Sequence, residues 1–245
     1  LEMLMDGVPQ DPQTGLPVRL DAAHQKFYAL LREQGVEVLD LLPFLLKLRR
    51  SGADHVYCRQ DTHYSAQTCV EIARLLAEQI KKEPWYKDVP KLALATEESD
   101  IEVRGDLARD LEQLGQKMPP LEKLHARFVG TKAGAGLTPL EDDRRSPVIL
   151  LGDSHVLVFH IGEDLLARGA GLADQLACEL GFAVDLVGSR GSGTTTPRAD
   201  IYRRGKADAG YLKTKKVFIW CLAARYLTES TDGWSAKIPV VPVPK

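Results

Sequence analysis

The chain has 245 residues, of which 44% are hydrophobic and 27% charged, and its net charge is −2. This length suits one large α/β domain or a core domain with an insertion, and the near-neutral charge gives no electrostatic case for nucleic-acid binding. No apolar run reaches the ~18 residues that a membrane span requires. Four scattered cysteines without a CxxC spacing are too few for a disulfide scaffold.

The first third of the chain alternates between helix and strand patterns after an irregular start. Asp21 is the predicted N-cap of a helix that continues to residue 34, residues 36–40 form a predicted short strand, and a second helix is predicted over 42–50. Ser65 is the predicted cap of an amphipathic helix that continues to about residue 82. Such alternation indicates a mainly parallel sheet covered by helices.

Residues 85–146 carry the weakest pattern in the chain. A charged stretch covers residues 97–110, a small and flexible one covers 130–136, and a helix is predicted over 106–116. We interpret this region as an insertion or a lid within a single domain that spans residues 1–245.

The strongest strand pattern is the apolar run at 148–151, between Pro147 and Gly152. Because both of its faces are apolar, this run predicts a central, buried parallel strand. The remaining predicted elements are strands at 184–187 and 217–222 and helices after Ser154, over 171–180, over 201–211 and up to residue 226. All of these elements together predict a three-layer α/β/α fold with a mainly parallel sheet.

Gly152-Asp153-Ser154 follows this buried strand directly. In open α/β sheets, reactive groups gather at the carboxyl ends of the strands. A serine at a helix start has free amide groups nearby that stabilise an oxyanion, and its hydroxyl attacks an ester carbonyl when a base accepts its proton. The alternative is a turn with a helix cap, because short strings of glycine, aspartate and serine are common.

Asp61 and His63, two residues apart in a loop, form the candidate carboxylate and base. The alternative is a capping aspartate and a structural histidine ahead of the Ser65 helix. A zinc site built from this pair with Cys58 and Cys69 fits no compact ligand spacing, so we expect no metal. A disulfide between the two cysteines stays open and would need an oxidising compartment.

The Asp-x-His block and the Gly-Asp-Ser block together resemble the SGNH-hydrolase-like domain of the alginate O-acetyltransferases. The resemblance covers most of residues 36–227, although 112–146 carry no motif of the family. In most SGNH hydrolases the histidine block follows the serine, and the reverse order found here is a feature of the acetyltransferase branch. The matching segments are Val38-Leu39-Asp40-Leu41-Leu42-Pro43, Asp61-Thr62-His63-Tyr64-Ser65, Gly105-Asp106-Leu107, Leu150-Leu151-Gly152-Asp153-Ser154, Val217-Phe218-Ile219-Trp220 and Arg225-Tyr226-Leu227.

The resemblance implies an SGNH-hydrolase-like fold and a Ser-His-Asp triad, in which Ser154 carries the acetyl group, His63 is base and then acid, and Asp61 orients the imidazole. It implies acetyl transfer from a membrane-bound partner to hydroxyls of an exopolysaccharide such as alginate, without a cofactor. It also implies a periplasmic protein, for which any membrane anchor would lie in a segment outside this chain.

Four further residues are candidates for binding the oxyanion or the substrate. Gly191 and Gly193 lie in a loop where glycine lets the backbone approach a ligand closely. Arg198 and Arg225 are candidates for binding a uronate carboxylate or the oxyanion, with an ordinary surface or ion-pair role as the commoner alternative.

Two positions depart from the family pattern and bear on the substrate. His155 follows the serine where a small or hydrophobic aromatic residue is expected, and Cys221 follows Trp220 where alginate-specific members carry an acidic residue. Two other functions stay open: a carbohydrate acetylesterase of the same fold, which gives the acetyl group to water, and a non-catalytic polysaccharide-binding or assembly module.

Overall fold

The computed structural model describes residues 11–13, 15, 18–19, 21–52, 56–134, 136–228 and 237–238. The irregular start predicted for the chain lies largely outside these residues. The chain forms two compact units, of which the first ends at Val56 and the second begins at Tyr57. The interpretation of residues 1–245 as a single domain stays a prediction. Among the helices of the described residues, none has the length and apolar character to cross a bilayer.

The first unit holds helices α1 (Ala22–Glu33) and α2 (Leu41–Arg50). Arg19 connects the starts of both helices, because its guanidinium donates to Asp21 at 2.7 Å and to Asp40 at 2.6 Å. The same Asp40 caps α2, since its side chain accepts from the amide of the second helical residue at 3.2 Å.

One prediction for the first unit is wrong, and another is confirmed only in part. Residues 36–40 form no strand; they make no ladder with another described segment, and their last residue, Asp40, is used as a helix cap. Asp21 occupies the N-cap position of α1, as predicted, but its side chain accepts no amide of the helix, because its carboxylate binds Arg19 and Gln25 instead. The hydrogen bond from Arg19 outweighs partial burial and lowers the pKa of Asp21 to about 2.

The second unit contains the remaining helices and strands. In chain order they are α3 (Ala66–Ile80), β1 (Leu94–Val103), α4 (Asp106–Gln113), β2 (Glu122–Ala133), β3 (Gly136–Pro139), β4 (Val148–Gly152), β5 (Ile161–Gly162), β6 (Leu165–Arg168), α5 (Leu172–Leu180), β7 (Asp185–Gly188), α6 (Thr196–Ala207), β8 (Val217–Cys221) and α7 (Arg225–Thr228). Short 3₁₀ turns cover Pro84–Asp88, Ser154–Val156 and Tyr211–Thr214.

The central sheet of this unit is parallel and has the order β7-β4-β8. All five residues of β4 are buried, as the apolar run at 148–151 predicted. On one face, Ile149 and Leu151 pack with Val187 and with Ile201 of α6. The predicted α/β/α fold class is thus confirmed, and the strands at 184–187 and 217–222 are confirmed to within one residue.

The predicted insertion at 85–146 contains an antiparallel sheet of β1, β2 and β3. Strand β2 packs against α3 and α5. Arg127 of β2 donates to Gln175 at 2.7 Å and to Glu179 at 3.0 Å, and both partners belong to α5. These contacts attach the sheet to the helical layer, and its role as a lid stays a prediction.

One helix prediction in the second unit is wrong, and another is shifted. After Ser154 only a 3₁₀ turn forms, because the chain turns back at Phe159, whose φ is 59°, into the hairpin of β5 and β6. The helix predicted over 201–211 starts earlier, with Pro197 in its first turn, and ends at Ala207. Proline favours the first turn because its fixed φ suits a helix and its missing amide would have no partner there.

Candidate active site

The loop that precedes α3 is held at both of its ends. Tyr57 and Tyr64 form an isolated β-bridge, and the Cys58 amide donates to the His63 carbonyl at 3.1 Å. The Ser65 hydroxyl caps the first turn of α3 by accepting a backbone amide at 3.2 Å, as predicted. The loop therefore enters the helix with little conformational freedom.

A buried glutamate holds the middle of this loop. The Glu122 carboxylate accepts from the Arg59 amide at 2.8 Å and from the Gln60 amide at 2.9 Å. Sequence reasoning missed this residue. The sequence signal for Glu122 is its alternation with Leu124 and Ala126, which are buried on the same face of β2. A charged group on a buried face needs hydrogen-bond partners.

The structure brings Asp61, His63 and Ser154 together in one line of hydrogen bonds. His63 Nδ1 lies 2.5 Å from Asp61 Oδ1, and His63 Nε2 lies 2.7 Å from Ser154 Oγ. Asp61 and His63 are both buried, whereas Ser154 is half-buried. A carboxylate, an imidazole and a hydroxyl in this order can activate the hydroxyl for attack on a carbonyl carbon.

Asp61 is ionised in spite of its burial. Its Oδ1 also accepts from the His63 amide at 3.1 Å, and its Oδ2 accepts from the Asp106 amide at 2.9 Å. Burial by itself would raise the pKa of Asp61, but the hydrogen bonds from His63 and from these amides lower it below the ordinary value. The carboxylate is thus fixed in both position and charge.

Gly105 allows the chain before α4 to approach the Asp61 loop. A Cβ at this position would lie 2.0 Å from the Gln60 carbonyl oxygen and 2.5 Å from Asp61 Cβ, which is closer than any side chain tolerates. The next residue, Asp106, accepts from the Thr62 amide at 2.8 Å and from the Thr62 hydroxyl at 2.5 Å. The segment Gly105-Asp106-Leu107, which matches the family, therefore has a physical role in holding the Asp61 loop.

Ser154 begins a 3₁₀ turn immediately after the buried strand β4. Gly152 is required here, since a Cβ would lie 2.7 Å from the Cys221 carbonyl oxygen on the neighbouring strand. Asp153 caps the turn by accepting from the His155 amide at 2.9 Å. Within the described chain the Ser154 amide donates to no carbonyl, so its hydrogen is not taken by another backbone group and can serve as a donor for an oxyanion.

His155 packs against His63. Its ring centroid lies 4.8 Å from that of His63 and 5.3 Å from that of Tyr64. Its Nδ1 lies 3.0 Å from Asp153 Oδ1. Burial would raise the pKa of Asp153, but the hydrogen bonds from the His155 side chain and amide lower it, so this carboxylate is ionised as well.

Gly193 and Arg225, two of the residues predicted to bind the oxyanion or substrate, lie beside the Gly-Asp-Ser block. A Cβ on Gly193 would lie 3.4 Å from Asp153 Cβ and 2.8 Å from the ring of Tyr226. Arg225 Nη2 lies 3.9 Å from Asp153 Oδ2. The block is therefore flanked by a loop backbone and a guanidinium.

Gly191 and Arg198, the other two, have different surroundings. Gly191 has a φ of 67° and open space where a Cβ would stand. A glycine is favoured here because of this left-handed backbone conformation, and not because of a close contact. Arg198 is buried, and its guanidinium donates to the Ile238 carbonyl at 3.4 Å. The substrate-binding roles of these residues stay predictions.

Asp61, His63 and Asp106 also offer ligand atoms that lie within 4.8 Å of one another. Both nitrogens of His63 and the oxygens of both carboxylates already form hydrogen bonds within the chain. Because these bonds account for the proximity of the three residues, the cluster needs no cation to explain it.

Cys58 and Cys69 are free, buried thiols, so the disulfide that the sequence left open is not formed. Burial raises the pKa of both thiols well above the ordinary value. Neither side chain is therefore an activated nucleophile at neutral pH.

Comparison with known proteins decides the family. The family model described as "SGNH hydrolase-like domain, acetyltransferase AlgX" matches residues 3–223. The chain belongs to this family. The structure of the O-acetyltransferase domain of Pseudomonas putida AlgJ matches it with a TM-score of 0.62 and 21% identity, over 92% of this chain and 75% of that one. No curated protein sequence matches the chain.

A second similar structure is that of Pseudomonas aeruginosa AlgX, with a TM-score of 0.54 and 14% identity. The match covers 86% of this chain and 49% of AlgX, so the chain spans about half the length of that protein. Membership of the AlgX-type SGNH hydrolase-like family confirms the predicted resemblance and fold. It also supports an enzyme of the acetyltransferase type.

Proposed function

We propose that this chain transfers an acetyl group to a hydroxyl of an exopolysaccharide through an acyl-enzyme on Ser154. The observation that carries the proposal is the line of hydrogen bonds from Asp61 through His63 to Ser154, with distances of 2.5 and 2.7 Å. Both distances lie within the reach that proton transfer requires. The acetyltransferase family of the chain supports the same reaction class.

In the first half-reaction, Ser154 Oγ forms a bond to the acetyl carbonyl carbon. Its proton passes to His63 Nε2, and the imidazolium is stabilised by the ionised Asp61. When the tetrahedral intermediate collapses, the bond to the leaving group of the donor breaks. The leaving group takes the proton from His63, which restores the neutral imidazole.

The negative charge that develops on the acetyl oxygen needs preorganised donors. The Ser154 amide is the first, because it has no carbonyl partner in the described chain. The backbone of the loop that contains Gly193 is the second candidate, since this loop packs against Asp153.

In the second half-reaction, His63 takes the proton of an acceptor hydroxyl while the oxygen of that hydroxyl attacks the acetyl carbon. Release of Ser154 Oγ then yields the acetylated product, and the proton returns to the serine. A sugar hydroxyl as acceptor makes the chain a transferase, and water makes it an esterase. The names of the similar AlgJ structure and of the family favour transfer. We further propose an alginate-like acceptor, a membrane-bound acetyl donor partner and a periplasmic location.

The test combines a chromogenic acetyl ester with an oligomannuronate acceptor. The wild-type chain is expected to release an initial burst of chromophore and to produce acetylated oligosaccharide. Ser154→Ala should show neither product nor labelling by a serine-directed phosphonate, and it should remain folded by circular dichroism. Rapid ester hydrolysis with no acetylated sugar would establish the esterase instead, and phosphonate labelling that persists in the variant would remove Ser154 from its role.

A further inference from the structure

A second imidazole–carboxylate pair lies directly beside the first. His155 Nδ1 lies 3.0 Å from Asp153 Oδ1, and the ring centroids of His155 and His63 are 4.8 Å apart. The Asp153 side chain is completely buried, whereas 12% of the His155 side chain is exposed. The proton transfers of the proposed acyl transfer through Ser154 use only the pair formed by Asp61 and His63, so they leave the second pair without an assigned role.

The pairing with Asp153 fixes which nitrogen of His155 carries the hydrogen. An ionised carboxylate only accepts hydrogen bonds, so Nδ1 donates to it, and a neutral ring then presents a lone pair at Nε2. His63 uses both of its ring nitrogens in hydrogen bonds. Within the described chain, by contrast, no protein group donates to His155 Nε2.

The His155 ring is held in place before any ligand binds. Its amide donates to Asp153 at 2.9 Å, its carbonyl accepts from the Tyr64 hydroxyl, and the Tyr64 ring meets it edge-on at 5.3 Å. A side chain that is already fixed loses little conformational entropy when it forms a hydrogen bond to a ligand.

We propose that His155 binds the acyl acceptor, with Nε2 accepting a hydrogen bond from a sugar hydroxyl next to the one that His63 deprotonates. Adjacent hydroxyls of one sugar ring suit two imidazoles packed against each other at the nucleophile. The lone pair at Nε2 and the charge of Asp153 favour a neutral O–H donor over an anion at this position. The inference rests on the proposed function, because it assigns the acceptor of that reaction.

Binding of two oligosaccharides to the full chain tests the inference without requiring turnover. β-1,4-Mannotetraose carries only hydroxyls, whereas tetramannuronate adds carboxylates to the same kind of ring. His155→Phe keeps a flat ring but removes the acceptor, so it should weaken the binding of both sugars by about tenfold, the effect of losing one well-formed hydrogen bond. Titration followed by NMR or calorimetry measures both affinities.

Two further variants separate hydrogen bonding from packing. The side-chain oxygen of Gln at position 155 lies about as far from the backbone as Nε2 of the histidine, whereas that of Asn lies only as far as Nδ1. His155→Gln should therefore restore affinity to within about twofold of the wild type, and His155→Asn should not. His125→Phe is the matched control, because His125 forms an exposed imidazole–carboxylate pair with Asp100 at 2.8 Å; it should leave both affinities unchanged.

The inference is overturned if His155→Phe binds both sugars as the wild type does, or if Asn restores binding as well as Gln. It is overturned equally if the wild type binds neither sugar, or if only tetramannuronate loses affinity, since the residue would then recognise a carboxylate. A wild-type chain that binds both sugars but gives no acyl-enzyme burst would refute the proposed reaction while leaving the binding role of His155 measurable.

Discussion

Two imidazole–carboxylate pairs of the second unit have the same kind of hydrogen bond, from a histidine Nδ1 to an aspartate, but they differ in the other groups around the ring. His63 Nδ1 lies 2.5 Å from Asp61 Oδ1, and His160 Nδ1 lies 2.9 Å from Asp174 Oδ2. Both histidines are largely buried, at 7% and 11% side-chain exposure. The difference lies at the second ring nitrogen, which in His63 meets the hydroxyl of Ser154 at 2.7 Å.

In His160 the second nitrogen meets another carboxylate, Asp142, at 3.6 Å. Burial disfavours the charged ring, but the two carboxylates of Asp142 and Asp174 outweigh it and raise the pKa of His160 to about 10. His160 is therefore a cation at neutral pH. Asp174 also accepts from the Gly171 amide at 2.9 Å, so this pair holds the start of α5. The group at the second nitrogen thus distinguishes the two histidines. Beside a hydroxyl, His63 can accept a proton, whereas between two carboxylates His160 is a cation that holds a helix start.

The largest expected effect is on acyl transfer when the base is removed. We predict that His63→Gln lowers the rate of acetyl-ester cleavage on the order of 10⁴-fold, since Ser154 then has no proton acceptor. The matched variant His160→Gln should retain most of the activity. Steady-state kinetics with a chromogenic acetyl ester measures both, and equal losses in the two variants would remove the distinction between the pairs.

A somewhat smaller loss is expected when the orienting charge is removed. Asp61→Asn should lower the same rate by roughly 10³- to 10⁴-fold, because a neutral amide neither fixes the His63 tautomer nor stabilises the imidazolium. Circular dichroism should show an intact fold. A variant that keeps more than about a tenth of the wild-type rate would indicate that the carboxylate has no part in the reaction.

For the structural pair, the expected effect is on stability. His160→Leu should lower the free energy of unfolding by about 3 kcal/mol, because it leaves the buried carboxylate of Asp174 without its cationic partner. Denaturant unfolding of this variant, compared with that of His63→Gln, measures the difference. If His63→Gln were the less stable of the two, the assignment of structural and reactive pairs would be reversed.

The last prediction concerns the pH dependence of stability. The pKa of His160 is raised from 6.5 to about 10 in the folded chain, so its contribution is complete below pH 6.5 and is lost as the pH rises towards 10. The pKa of Asp61 is lowered from 3.8, so its contribution is present above that value and is lost as the pH falls. Thermal unfolding from acid to alkaline pH should show the alkaline loss in the wild type and not in His160→Leu.

The sequence predicted the central strand and the proximity of the side chains of Asp61, His63 and Ser154. The run at 148–151 is apolar on both faces, and such a pattern has few structural solutions. The order of the Asp61-Thr62-His63 and Gly152-Asp153-Ser154 blocks, read through the family resemblance, was enough to expect one site. The catalytic roles remain proposals, but the geometry on which they depend is present.

Other features depend on contacts that no local pattern reveals. Residues 36–40 have a strand pattern, but they form no ladder in the described chain, and Asp40 caps a helix instead. The antiparallel sheet within 85–146 is held by long-range pairs, such as Leu94 opposite Thr131. Glu122 supports the Asp61 loop across more than sixty intervening positions, a distance over which helix and strand periodicity carries no information.

The most direct test of the account is mass spectrometry of the chain after a brief reaction with an acetyl ester, followed by acid quenching. If Ser154 forms the acyl-enzyme, one acetyl group is expected on the peptide that contains it. This group should disappear when oligomannuronate is added and should appear on the sugar. Ser154→Ala should carry no acetyl group. Acetylation of a different residue as the kinetically competent intermediate, or sugar acetylation that continues in Ser154→Ala, would contradict the account.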